Sequence, residues 1–283
     1  MFQKIEKKPF TGILTFIFVL FVMPLGHTLM ILMQNIGGEK FQFLLAGFLG
    51  FFGIAILFFS LNKKESPASF FGFISAIFVW TGWIEFAFVY FSQKLNIQIQ
   101  HFPDGEMTKP EYLLLPSSIG LLGTLFFYFL FNKQSGCNFF VWITKYILRQ
   151  NIEPINRKRN IALITFVETI YLLWFFYILL LILYDNSFFG VEHFVTKFFC
   201  VLFFVWSIYL FIKLIKFAIF GSALRYAIPT VIIFWSGIEI LGRLQILKEF
   251  WLLPFEYFTE ITFLSISLLF LIYFIHKSYL KEV

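Results

Sequence analysis

Charged residues are scarce in this chain of 283 residues, since Asp, Glu, Lys and Arg together make up only 13% of it. Ordinary soluble domains carry about 25% charged and about 45–50% apolar residues, whereas 60% of this sequence is hydrophobic. The share of surface that folding buries grows only slowly with chain length. A water-soluble domain of this size has no room for that much apolar surface, so the composition excludes a soluble enzyme and a disordered regulator.

Residues that form cross-links or bind metals are also few, with two cysteines and four histidines. Two cysteines exclude a disulfide-rich secreted scaffold. Four histidines are too few for a typical membrane di-iron oxygenase or a multi-haem protein. The sequence contains no HExxH, GxSxG or Walker motif and no paired-aspartate prenyl-transfer pattern. The residues therefore decide neither whether the chain is an enzyme nor which cofactor it would use.

Long apolar runs dominate the sequence, and Phe alone supplies 46 residues. A helix needs about 20 mainly apolar residues to cross a hydrocarbon core of about 30 Å. Allowing a single Glu or flanking charges, the stretches that qualify are Pro9–Gly38, Phe41–Asn62, Phe70–Phe91, Tyr112–Asn132, Ile161–Leu183, Phe198–Ile212, Tyr226–Leu241 and Ile261–Ile275. The sequence predicts an all-α, polytopic integral membrane protein with eight transmembrane helices.

The distribution of basic residues predicts how these spans are oriented. With the N-terminus inside, 16 of the 22 Lys and Arg residues fall in inner segments. Cytoplasmic segments carry an excess of Lys and Arg, so we expect both termini inside, and a bacterial inner membrane is the favoured location. The net charge of +6 follows from this topology. We therefore expect the lipid bilayer, and in one alternative other membrane subunits, as partners, but no nucleic acid.

The two halves of the sequence resemble each other. The third span of each half carries a related motif, Trp80-Thr81-Gly82 and Trp235-Ser236-Gly237, followed by Glu85 and Glu239. Other matches follow the same chain order: Ile5–Phe16 with Ile155–Phe166, and Glu111-Tyr112 with Glu256-Tyr257. Chance similarity in a Phe-, Leu- and Ile-rich chain is the alternative. The polar matches favour a duplication.

A duplication divides the chain into a first four-helix half, residues 1–137, and a second, residues 155–283. Each half has an even number of spans, so the two repeats would be parallel, with a pseudo-two-fold axis along the membrane normal. Residues 138–154 between them carry apolar side chains at helical spacing, which predicts an inner-surface amphipathic helix. A similar segment, Leu244–Phe258, is expected on the outer surface, with Trp251 in the interfacial aromatic belt.

Ionisable residues within the spans are the candidate site. Such groups cost several kcal/mol in a bilayer unless they are paired, hydrated or protonated. At about 1.5 Å per residue, Glu85, Glu239 and His27 all lie in the outer half of the membrane. Arg243 follows Glu239 at i,i+4, where the two could pair. Together these residues predict one polar cavity open to the outer side, although helix-packing hydrogen bonds are an equally simple interpretation.

Glu168 differs because it lies in the inner half of the fifth span. It could continue a proton path from the outer cluster or pair with a neighbour near the inner surface. The outer loops add residues of metal-ligand type, and these weak candidates are His101, Asp104, Glu106 and His193. Their spacing matches no firm zinc or copper pattern.

Three functions fit these features. Duplicated halves, interrupted helices and intramembrane carboxylates are typical of carriers, so a proton-coupled transporter of a small solute or ion is favoured. A membrane subunit of a redox complex is the first alternative, with His27 or Tyr90 hydrogen-bonded to a quinone, or with a bound metal. A lipid-modifying membrane enzyme, using Glu85 and His27 as an acid–base pair, is the second.

The predicted orientation can be tested with reporter fusions. Green fluorescent protein fused after Val283 is expected to fluoresce, because that end faces the cytoplasm. Alkaline phosphatase fused after Asn96, at the end of the third span, is expected to be active. Active phosphatase after Val283 would contradict the orientation.

Overall fold

The computed structural model describes residues 8–35, 37–96, 115–131, 145 and 160–280. Helices make up 84% of these residues and no strand occurs among them, which confirms the all-α class. We number the long helices of the described part in chain order: α1 Phe10–Asn35, α2 Glu39–Ser60, α3 Glu65–Lys94, α4 Ile119–Phe131, α5 Ile161–Tyr184, α6 Phe194–Leu214, α7 Phe220–Arg243 and α8 Phe258–Ile275.

Three of these elements depart from a regular α-helix. A π-helical turn, Trp80–Glu85, interrupts α3, and another, His276–Leu280, follows α8. A 3₁₀ turn, Leu115–Ser118, precedes α4. The connector between α7 and α8 contains only the 3₁₀ turn Phe250–Leu252, so the prediction of a surface helix there is wrong.

Seven of the eight predicted spans coincide with helices that are long and apolar enough to cross a membrane. The fourth corresponds to α4, whose apolar stretch, Leu115–Tyr128, is shorter, and its crossing stays a prediction. Several helices extend beyond the predicted bounds, as α7 does on both sides. The predicted spans were too short because they stopped at charged residues, which can reach the aqueous surface from a helix end and need not end the helix.

The two most buried helices, α3 and α7, contact each other in the middle of the bundle. Small residues let membrane helices approach closely, and both helices carry many of them. A Cβ on Gly72 of α3 would clash with the backbone of Ala162 on α5, and one on Gly221 of α7 with Glu65. The close packing of α7 against α3 therefore depends on Gly221, and that of α3 against α5 depends on Gly72.

The remaining helices surround this pair in a regular order. Helix α2 packs on α3 as α6 packs on α7, and α5 packs on α3 as α1 packs on α7. Exchanging the first four helices for the last four thus reproduces the main contacts. The outer faces of α2, α6 and α8 expose many large apolar side chains, as a bilayer environment requires.

We call the end of the bundle where α1 ends and α2 begins the outer end, following the predicted orientation. At the opposite, inner end, a polar network joins α3 to α7. Arg225 donates to Glu65 Oε1 and to Ser69 Oγ, each at 2.6 Å, and Ser222 Oγ also donates to Glu65 at 2.6 Å. The inner ends of the central helices are therefore fastened together.

Breaking this network is expected to destabilise the fold. Arg225→Gln removes charged hydrogen bonds that are each worth about 1.5–3 kcal/mol, so the melting temperature in nanodiscs is expected to fall by several degrees. Lys197→Gln is the matched control, because its ion pair with Glu192 is largely exposed and such pairs contribute about 0–1 kcal/mol. Equal shifts in the two variants would contradict the interpretation.

Candidate functional site

His27 of α1 lies between two carboxylates that come from the two central helices. Its Nε2 is 3.1 Å from Glu239 Oε1 on α7, and its Nδ1 is 3.9 Å from Glu85 Oε1 on α3. The exposed fractions of these side chains are small: 23% for His27, 11% for Glu85 and 15% for Glu239. The structure therefore brings together three residues that the sequence singled out, each from a different helix.

Each of the three helices has a distinctive local feature next to its site residue. Pro24 lies inside α1, one turn before His27, where its missing N–H removes a helix hydrogen bond. The π turn of α3 ends at Glu85, and π turns are frequent at functional sites. On α7, Trp235 lies one turn before Glu239, and its indole Nε1 donates to Glu239 Oε1 at 2.9 Å.

Aromatic rings hold the imidazole on the α7 side. The ring of Trp235 stacks on His27 with 6.1 Å between centroids, and Trp251 packs against Trp235 at 4.7 Å. Thr28 Oγ1 donates to the Trp251 carbonyl at 3.1 Å. The connector that carries Trp251 is thereby fastened to α1 beside the site.

A narrow cavity opens next to His27 and Glu239. The empty space between its walls is about 350 Å³, part of it continuous with solvent, and its enclosed part admits only water-sized guests. Its walls come from α1, α5, α7 and the α7–α8 connector: His27, Tyr177, Leu180, Leu181, Tyr184, Glu239, Arg243, Glu249, Trp251 and Leu252. The cavity joins residues from both halves of the chain.

Arg243 and Glu249 place opposite charges in the wall of this cavity. The guanidinium of Arg243 lies over the ring of Tyr184, 5.8 Å from its centroid. The side chain of Glu249 packs against Gly242, where a Cβ would lie 2.6 Å from Glu249 Cγ. Arg243 thus lines the same cavity as Glu239, as its position one turn further along α7 predicts.

Of the other predicted residues in the described part of the chain, Glu85, Glu168 and His193 do not line the cavity. Glu168 is half-buried on α5, nine residues before Tyr177 and thus about 13 Å nearer the inner end. His193 precedes α6, where its Nδ1 accepts from the Val195 N–H at 3.2 Å. The metal candidates His101, Asp104 and Glu106, and all of residues 138–154 except Lys145, lie outside the described residues. Within the described ranges, no group of three or more His, Cys, Asp and Glu residues could hold a metal ion.

Seven residues of the cavity were not predicted as site residues from the sequence, and four of these are polar or aromatic: Tyr177, Tyr184, Glu249 and Trp251. The side chain of Trp251 is only 4% exposed, so it packs inside the protein, and its depth at the membrane interface stays a prediction. Tryptophan is enriched at membrane interfaces, and nothing in the sequence indicated its contacts with α1 and α7. Glu249 lies in a connector, where a charged residue gives no signal.

Comparison with known proteins found no match: no family model, curated protein or solved structure corresponds to this chain. A function for this chain is therefore inferred from the geometry of the described residues. That geometry offers an imidazole between two carboxylates, an adjoining ion-lined cavity and a central helix pair fastened at the opposite end.

Proposed function

We propose that this protein is a proton-coupled transporter of a small solute or ion, with His27, Glu85 and Glu239 as its coupling site. The observation that carries the proposal is the single imidazole, whose two nitrogens lie 3.1 and 3.9 Å from carboxylates of different helices. The proposal includes a bacterial inner membrane and a cytoplasmic location for both termini. The membrane class itself rests on the long apolar helices.

The coupling follows from the hydrogen-bonding capacity of imidazole. Protonated, the ring donates from both nitrogens and can bridge Glu85 and Glu239; neutral, it donates from one nitrogen only. Histidine is the side chain whose charge changes most readily near physiological pH. Losing one proton therefore weakens the link between α1, α3 and α7. Arg243 and Glu249 add opposite charges close by.

The packing of the bundle supports movement of one half against the other. Carriers built from repeats bind near the repeat interface and alternate access by rocking the halves. The equivalent helix contacts described above favour two parallel four-helix repeats, with α3 and α7 meeting at the pseudo-two-fold axis. The cavity is at the outer end, while Glu65 and Arg225 join the same two helices at the inner end. This arrangement is that of a carrier open to the outside.

The size and lining of the cavity favour a carrier over the alternatives. Water-sized space suits a proton and a small ion better than a quinone head group or a lipid. Tyr90, which a quinone site would use, packs instead with Phe43 and Phe86. His27 Nδ1 and Glu85 Oε1 are 3.9 Å apart, which is longer than direct proton transfer requires, and the narrow cavity beside His27 favours a small guest over a lipid substrate.

Removing either carboxylate is expected to abolish coupled flux. Glu85→Gln and Glu239→Gln should each lower proton-driven flux to less than about a tenth of wild type, because each removes one of the two carboxylates beside the His27 imidazole and intramembrane carboxylates act in proton relays. The measurement uses proteoliposomes that contain a pH-sensitive dye, acidified outside and offered in turn K⁺, Na⁺, ammonium, acetate, phosphate and glycine. The wild type is expected to dissipate the gradient with at least one of these probes.

The matched control is Glu192→Gln, because Glu192 is an outer carboxylate with 68% of its side chain exposed. It is expected to transport as the wild type does. Size-exclusion profiles and melting temperatures establish that each variant is folded. Wild-type flux in folded Glu85→Gln and Glu239→Gln proteins would refute the coupling site.

A further inference from the structure

The motif that carries each carboxylate is the same in the two halves apart from one extra residue. The first half reads Trp80-Thr81-Gly82-Trp83-Ile84-Glu85, and the second reads Trp235-Ser236-Gly237-Ile238-Glu239. Without Trp83, the two segments align without a gap, and Thr81/Ser236 is the only difference. An inserted residue in a regular α-helix would turn everything after it by about 100°, so Glu85 would face away from its counterpart's position.

The π-helical turn of α3 absorbs the inserted residue. The turn spans Trp80–Glu85, and its i→i+5 hydrogen bonds accommodate one residue more than an α turn. Glu85 therefore follows Trp80 by one turn, as Glu239 follows Trp235 by one turn of α7. The two carboxylates thus occupy equivalent places relative to their tryptophans.

The side chain of Trp83 leaves the site and packs against α2. Its indole Nε1 donates to the Gly47 carbonyl at 3.3 Å, and its ring fills the space that Gly50 leaves by lacking a Cβ. The neighbouring glycines of the motif also have equivalent partners. A Cβ on Gly82 would meet the backbone of α2, and one on Gly237 would meet Phe204 of α6.

Each motif tryptophan contacts a ring from the first helix of the opposite half. His27 of α1 stacks on Trp235 of α7 at 6.1 Å. Tyr177 of α5 packs edge-on against Trp80 of α3 at 6.2 Å. The alignment of Thr15-Phe16 with Thr165-Phe166 places His27 and Tyr177 at the same position of the repeat, 150 residues apart.

We propose that the site consists of two half-sites and that Tyr177 is the site residue equivalent to His27. One half-site contains His27, Trp235 and Glu239, and the other contains Tyr177, Trp80 and Glu85. Tyr177 also lines the cavity beside His27, next to the space that a small cation or a proton-carrying water would occupy. The role of Tyr177 in flux rests on the proposed function.

The two rings supply different chemistry to one site. An imidazole gains and loses a proton near neutral pH, whereas a phenol keeps its proton and offers a permanent donor. The rings of the two half-sites therefore differ in whether they can carry a positive charge. In the proposed cycle His27 takes up and releases a proton, and Tyr177 donates a hydrogen bond to the transported guest.

Exchanging the two rings tests whether the half-sites are equivalent. His27→Tyr and Tyr177→His are each expected to lower the melting temperature in nanodiscs by several degrees, because each leaves two like rings in a site shaped for one of each. The double variant His27→Tyr/Tyr177→His is expected to melt closer to the wild type than either single variant. Additive losses in the double variant would overturn the equivalence.

Flux in the same variants tests the role of Tyr177. The exchange is expected to restore a large part of the pH-driven flux that each single variant loses, and Tyr177→Phe, which keeps the ring against Trp80, is expected to lower it about tenfold. The control is Tyr171→Phe, on the same helix but outside the cavity. Unchanged flux in Tyr177→Phe would overturn the assignment. Recovery of stability together with a wild type that transports none of the probes would instead refute transport and leave the two half-sites standing.

Deleting Trp83 tests the insertion. In a background without Cys137 and Cys200, His27→Cys and Glu85→Cys are joined with a short bismaleimide, and ΔTrp83 is expected to cross-link as well as Trp83→Phe. The matched deletion ΔIle238, in α7, which has no π turn, is expected to abolish the corresponding cross-link of His27→Cys with Glu239→Cys. A weaker cross-link in ΔTrp83 than in Trp83→Phe would overturn the inference.

Discussion

The need to neutralise ionisable side chains inside the bilayer governs the arrangement of this bundle. A carboxylate in the hydrocarbon region costs several kcal/mol unless it is paired or hydrated, and α3 and α7 each carry one. His27 lies near both, and this requires α1 to run beside both central helices and to bring its imidazole to their depth. The small residues that let α3 and α7 touch therefore serve the same end as the polar contacts, since they bring the two carboxylates within reach of one ring.

Relative height along the bundle was predictable because a helix has a fixed rise per residue. Counting from the ends of the apolar runs placed His27, Glu85 and Glu239 at similar heights, and the structure brings them together. Lateral neighbours were not predictable in this way, because a helix that is apolar on every side gives no sign of which face meets which partner. Tyr177, on such a helix, was missed for this reason. The network of Glu65 and Arg225 was also missed, because charged residues at the ends of apolar runs were interpreted as flanking residues.

The π turn shows a different limit of sequence reasoning. The segment Trp-Thr-Gly-Trp-Ile-Glu by itself gives no indication that a π turn will accommodate one of its residues. The indication comes only from the second copy of the motif, which lacks that residue, and from the pair Gly47 and Gly50, which leave room on α2 for the displaced indole. Comparison of the two motifs within one chain therefore carries information about backbone geometry.

The charges around the cavity indicate what the site would accept. Arg243 and Glu249 carry opposite charges, so they contribute little net charge to the cavity they line. Glu85 and Glu239 together carry two negative charges when ionised, and a protonated His27 neutralises only one of them. Had the second half-site also carried a histidine in place of Tyr177, two imidazolium ions could have balanced both carboxylates without a guest. The phenol brings no positive charge to its half-site, whereas a protonated imidazole does. Under the proposed function, a second proton or a small cation would bring positive charge to the half-site of Tyr177, so the difference between the two rings is the reason to test cationic guests first.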